Sequence, residues 1–322
     1  MSQKIDLSGV HRFWEIVDIF EKGDEPDEER WSELFNTPGY EILTQIEFSE
    51  EFFKRIFSQA FGQKKISKMS EGEEKIVDHL KEVKVNRDEL NDFLGDIFTE
   101  DYYDDALNLA FEWLPIDEEE PYPPVSFLFF QKDARGYIPI VFDLQFAYEL
   151  DDDLSTYLAH EMHHFYRNLN VSFDPNIEDK EIIWALNQLH MEGVADQINK
   201  ELIMGSQPIF DERYKEKYIE NYKGAEEYIK ELDGYLRRYE EKPDEYGKKI
   251  QESLPLSGHP IGFFMTEVII DSGLKDELVD SYDDPFYFFE LYNDSADEDN
   301  LTKFSEESIA VINDLKEKYV KK

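Results

Sequence analysis

Cysteine is absent from the 322 residues. Disulfides and thiolate metal ligation are thereby excluded, and any metal has to be held by histidine and carboxylate. Long apolar runs are absent too. No stretch approaches 18 residues without charge, so no membrane span is expected. The opening residues, MSQKIDLSGVHRFWEIVDIF, lack a basic region followed by an apolar core and a small-residue cleavage site, which makes a cytoplasmic location the expectation. Positive charge is scarce. Against 75 Asp and Glu stand 34 Lys and Arg, a formal net charge of −41. Such a surface repels phosphate backbones and argues against a nucleic-acid partner. With 25 lysines beside 9 arginines, the acidity reads as a solubility feature, with salt adaptation a lesser alternative.

What is present is enough for a folded chain. Hydrophobic residues make up 41% and aromatics 15%, well above the range of disordered sequences. The length fits one large domain or two modest ones. Residues 1–115 show apolar residues three and four apart, predicting amphipathic helices over 26–35, 50–61, 73–83, 87–98 and 104–114. The run DEEEPYPP (117–124) breaks this pattern and marks a boundary. Two strand-like runs follow, 125–130 and 137–146, joined by QKDARG as a predicted hairpin loop. Pro139 has no backbone donor, so the second strand is expected to lie at a sheet edge or to begin after it. Three acids, 151–153, open a helix predicted to reach about Asn170, and a second long helix is predicted over 178–204. Helix resumes beyond GSQP to about 240, breaks near EKPDEYG, and returns as short helices from Pro260. The class is α+β, mainly α. The chain divides into a helical N-terminal region (1–120), a central metal-binding catalytic core (121–206) and a helical C-terminal region (207–322) that completes the cleft, possible also as one compact unit.

The segment LAHEMHHFYRN (158–168) contains His160, Glu161 and His164 in the pattern H-E-x-x-H. Residues four apart on a helix lie on one face, one turn apart, so two imidazoles can converge on one ion. Glu161 sits one step round, where it can reach a water activated by the metal and serve as general base. Random placement of this chain's residues would give the motif roughly 0.02 times. His163 lies 60° from His160 and suits packing or hydrogen bonding to a ligand better than ligation. A catalytic zinc takes a third protein ligand. In HMEGVAD (190–196), Glu192 and Asp196 share a helix face while His190 points away. Glu192 is therefore the expected third ligand, and Asp196 the residue that orients a ligating histidine. The small Gly193 and Ala195 would let two helices approach closely. The alternative for this segment is one more acidic helix face. Tyr157, one turn before His160, is expected in the core. DEEE and DSADEDN lack the spacing of a calcium loop and are expected to be solvated surface.

These motifs resemble the glutamate-zincins, the thermolysin-like clan of metallopeptidases, which couple H-E-x-x-H on one helix to Glu, with Asp four residues later, on the next. The resemblance implies a gluzincin-like core in which a small sheet precedes two metal-binding helices. It also implies one zinc per chain held by His160, His164 and Glu192, with Glu161 as base and Asp196 as orienter. A fuller pattern, through FNTPGYEIL, LAHEMHH, MEGVADQI and GHPIGFFMTEVI, is similar to an uncharacterised family of zinc-dependent peptidases from bacteria and archaea. The G-x-M-E-N element of large zinc aminopeptidases is absent, which weakens an aminopeptidase assignment. His259, just before Pro260 at a predicted helix start, corresponds to the downstream histidine that stabilises the oxyanion in thermolysin-like enzymes; a capping or packing role is the alternative. The expected activity is peptide hydrolysis, with a peptide or protein substrate and neither nucleic acid nor membrane as partner. Its rivals are a zinc hydrolase of another substrate class and a non-enzymatic protein whose metal ties two helices together.

Overall fold

A computed structural model describes residues 4–63, 68–97, 101–115, 121–174, 177–205 and 212–319. Parts of several sequence expectations lie outside these residues: 117–120 of the boundary run, 206–208 of GSQP, and 175–176 of the loop before the second long helix. The described residues are mainly helical with one four-stranded sheet, as the α+β, mainly α class requires. No described helix is long and apolar enough to cross a membrane. Chain contacts separate two compact units, Met1–Leu107 with Glu118–Phe165, and Asn108–Asp117 with Tyr166–Lys322.

The elements up to Asn170 are β1 (Ile5–Asp6), α1 (Ser8–Glu21), α2 (Glu28–Phe35), α3 (Pro38–Ile46), α4 (Glu50–Phe61), α5 (Glu71–Val85), α6 (Arg87–Ile97), α7 (Tyr102–Phe111), β2 (Val125–Leu128), β3 (Ala134–Arg135), β4 (Ile140–Asp143), α8 (Leu144–Leu150) and α9 (Leu154–Asn170). Caps written in the sequence start several of the helices. Asp27 accepts from the Arg30 amide, Ser49 from that of Phe52, and Ser70 forms a capping box with Glu73, satisfying N–H groups that the first turn leaves over. Their apolar faces meet in an aromatic core, with Phe13 packed on Phe57 at 5.3 Å and on Phe129 at 4.6 Å between ring centroids.

The sheet order is β1-β2-β4-β3. The hairpin predicted between the two strand runs does not form. β2 and β4 pair in parallel, Val125 opposite Ile140 through Leu128 opposite Asp143, and it is the short β3 that folds back antiparallel on β4. All four residues of each parallel strand are buried, as continuous apolar runs at the centre of a sheet should be. The edge strand beyond β4 is therefore β3 at 134–135, whereas β4 begins directly after Pro139 and lies inside. Residues 144–146, read as strand, open α8 because the Asp143 side chain accepts from the Phe146 amide at 3.0 Å.

Asp143 is fully buried, also accepts from the Phe130 amide at 2.9 Å, and faces His79 Nε2 at 3.1 Å. Burial alone would lower the His79 pKa. The charge and hydrogen bond of Asp143 outweigh it, and the pKa is raised. A raised pKa in the folded state gives stability that is complete below the unfolded value of about 6.5 and fades as pH rises through the folded value. The stability gap between wild type and His79→Gln, measured by urea unfolding with chelator present, should thus be widest near pH 5.5 and narrow by pH 8.5. A gap independent of pH would remove the protonated His79–Asp143 pair.

The later elements are α10 (Lys180–Ile198), α11 (Lys200–Met204), α12 (Glu212–Lys223), α13 (Ala225–Leu236), α14 (Pro243–Ser253), α15 (His259–Asp271), α16 (Lys275–Asp280), α17 (Tyr287–Asp299) and α18 (Glu306–Tyr319). The single helix predicted over 178–204 is broken at Asn199. The break expected near EKPDEYG falls between α13 and α14. Helix resumes already at Pro243 and not at Pro260, because Pro243 occupies the first turn, where a missing donor is harmless. The centre of this unit is α10, buried along most of its length. Asp179, just before it, accepts from Tyr239 at 2.5 Å, Lys318 at 2.7 Å and Tyr319 at 2.6 Å, joining its start to α18. At its other end Gly193 lies against Gly262 of α15. A Cβ on Gly193 would come within 2.4 Å of the Gly262 carbonyl, and one on Gly262 within 2.1 Å of the Leu189 oxygen.

Candidate metal centre

His160, Glu161 and His164 all lie on α9 and are all buried. The two imidazoles stand at 87° to each other with Nε2 atoms 2.9 Å apart. Nitrogens that close need a shared proton or a cation between them. Two ligands about 2.0–2.1 Å from one tetrahedral ion would stand roughly 3.4 Å apart, so the observed pair is within a few tenths of an ångström of a chelating geometry. One ligand atom from each of His160, His164 and Glu192 falls within 4.8 Å of the other two, and all three residues are buried. This borderline-soft N/O donor set, two neutral imidazoles and one carboxylate, fits zinc.

The neighbours of α9 explain how the pair is held. Tyr157 stacks near His160 at 6.1 Å and 24°, and packs edge-on against Phe142 and Phe146, the core role expected for it. His163 is buried with its ring 6.1 Å from that of His164. Gly136, which follows β3, presses on the motif itself. A Cβ there would stand 2.8 Å from His164 Cβ and 3.1 Å from Glu161 Oε2. Only glycine lets the edge-strand segment come this near the base. The sequence signal is the glycine that closes the predicted hairpin loop QKDARG.

Glu192 and Asp196 share one face of α10, as their spacing predicts. The carboxylate of Asp196 accepts from Tyr218 Oη at 2.7 Å and meets His259 Nδ1 at 3.0 Å and 3.1 Å. His259 Nε2 lies 3.4 Å from Glu192 Oε2. His259 is thus tied to both acidic residues of the second motif. Burial and the Asp196 charge raise the Tyr218 pKa, so its hydroxyl remains a donor. Nothing among the 19 tyrosines of the sequence marked Tyr218 out.

The approach to His259 is unusual. Leu256, Ser257 and Gly258 all have positive φ, at 46°, 54° and 101°. Two non-glycine residues in that region cost of order 1–3 kcal/mol each. Their effect is to turn the chain sharply before α15, so that His259 heads the helix beside α10. His190 points elsewhere, as expected. Its Nδ1 faces Arg167 Nη2 at 3.1 Å and its ring lies 5.1 Å from that of Phe288. Burial, then the Arg167 charge, lowers its pKa well below the usual histidine range, leaving it neutral.

No curated protein and no solved structure matches the chain. A family described as "Putative zinc dependent peptidase (DUF5700)" matches residues 31–301, a span that includes the H-E-x-x-H helix, Glu192, Asp196 and His259. On that match, which covers most of its length, the chain belongs to this family of zinc-dependent peptidases.

Proposed function

We propose that the protein is a peptidase of the glutamate-zincin type that hydrolyses peptide bonds with Glu161 as general base and one zinc ion per chain. The observation that carries this proposal is the convergence of His160, His164 and Glu192 with Glu161 adjacent on the same helix. Zinc held by these three residues would polarise the scissile carbonyl and lower the pKa of water in the site towards 7. The residues of the chain then divide the proton work. The Glu161 carboxylate takes the water proton and passes it to the leaving amine nitrogen. His259, its Nδ1 fixed on Asp196, directs Nε2–H at the carbonyl oxygen as negative charge develops there. The outer edge of β3, followed by Gly136 beside Glu161, offers main-chain groups to an extended substrate by strand addition. Cytoplasmic peptides or proteins are the proposed substrates.

A purified sample should release fragments from a peptide library, stop when treated with a chelator, and recover when zinc is restored. The 3.4 Å approach of His259 to Glu192 favours a second possibility, a closed site with His259 as an additional donor and no hydrolysis. Zinc bound at about one per chain, with no cleavage anywhere in the library, would support that closed site and defeat the peptidase proposal.

A further inference from the structure

The unit that contains α10 has a cavity of about 510 Å³ at the start of that helix, walled by Phe173, Ile177 and Trp184 and reaching Asn187. This volume is ordinary for small-ligand sites. Its polar lining has a definite orientation. Arg167, only 1% exposed, donates from Nη2 to Asn187 Oδ1 at 2.9 Å. The buried guanidinium can only donate, so Asn187 must turn its oxygen towards Arg167 and its Nδ2 hydrogens the other way. Arg167 Nε and Nη1 are themselves buried without a hydrogen-bond partner, and Nη2 also faces His190 Nδ1 at 3.1 Å, so its two hydrogens serve Asn187 and His190. The lining also carries Asp174, Glu181 and Lys180, charges of both signs that strongly favour neither an anion nor a cation.

We propose that this cavity binds a neutral, apolar amino-acid side chain of a peptide, held by Trp184, Phe173 and Ile177, with the main-chain carbonyl of the same residue accepting a hydrogen bond from Asn187 Nδ2. That the occupant is part of a substrate rests on the peptidase proposal. Asn187 and Glu192 are five residues apart on one helix, a rise of about 7.5 Å and a turn of about 140° round its axis. The rise alone would span two or three residues of extended peptide, and the turn round α10 adds to that path. The cavity would then select an apolar residue a few positions from the cleaved bond.

The cavity can be tested without hydrolysis. Of the four tryptophans, Trp14, Trp31 and Trp113 are at most 9% exposed while Trp184 is 37% exposed, so a ligand in the cavity changes mainly the Trp184 emission. With chelator present, N-acetyl-phenylalanine amide should produce a saturable change with a dissociation constant on the order of 1 mM. The glycine and lysine amides should bind at least about fivefold more weakly, since they lack the apolar group. Trp184→Phe should silence the signal. Asn187→Asp retains an oxygen for Arg167 and replaces the donor with an acceptor, and should weaken binding by about five- to tenfold. Equal responses to all three amides, no saturation, or undiminished binding by Asn187→Asp would each overturn the proposal. Because no bond is cleaved in this assay, its failure would leave the peptidase proposal standing, and a failure of peptidase activity would leave its result readable.

Discussion

Glu161→Gln should bind zinc as the wild type does and lose peptide hydrolysis by about 10²–10⁴-fold, the usual contribution of a positioned general base. The substitution preserves shape and hydrogen-bonding reach but removes the capacity to take a proton near neutral pH. Glu161 is buried, and its Oε2 lies 3.1 Å from where a Cβ on Gly136 would stand, a space that glycine leaves open. The carboxamide should therefore fit where the carboxylate was, and a loss of activity would report chemistry rather than misfolding. Glu192→Ala is the converse. It removes one of the three converging ligand atoms, and bound zinc should fall from about one per chain towards zero at micromolar zinc, with activity falling alongside. Metal analysis and initial rates on the same preparations separate the two outcomes. A Glu161→Gln variant that remained active would remove the base assignment, and full zinc occupancy in Glu192→Ala would remove the ligand.

The contrast between these residues and their supports shows what a sequence can reveal. His160 and His164 were legible because helix geometry converts a spacing of four into a shared face. Glu192 and Asp196 obeyed the same periodicity. Their partners come from distant segments. Tyr218 reaches Asp196 across 22 residues, and His259 reaches the same carboxylate across 63; no local pattern encodes such pairings. The sheet departs from the sequence expectation for a related reason. Adjacent strand runs joined by a turn-like segment look like a hairpin, yet the few residues of β3 suffice to reverse the chain and leave β2 and β4 parallel. The turn before His259 was hidden as well, since leucine and serine at 256 and 257 give no hint of left-handed backbone.

Gly193→Val should break the site from behind. Small residues at 193 and 195 suggested that α10 could approach another helix closely, and the partner proves to be α15, where Gly193 meets the Gly262 backbone. A Cβ at 193 would lie 2.4 Å from the Gly262 carbonyl carbon and oxygen and 2.8 Å from its Cα. Backbone atoms cannot rotate aside as a side-chain end can, so the helices must separate. Overpacking of this kind costs about 1–3 kcal/mol and more where no rotamer relieves it; a destabilisation of about 3 kcal/mol or more is expected by urea unfolding. The same shift would draw His259, the first residue of α15, away from Asp196 and Glu192 on α10. Gly193→Val should consequently lose hydrolysis even at temperatures where circular dichroism shows it folded. Unchanged stability and rate would mean that the two helices do not meet at these glycines, and with that contact would go the present account of how His259 is positioned.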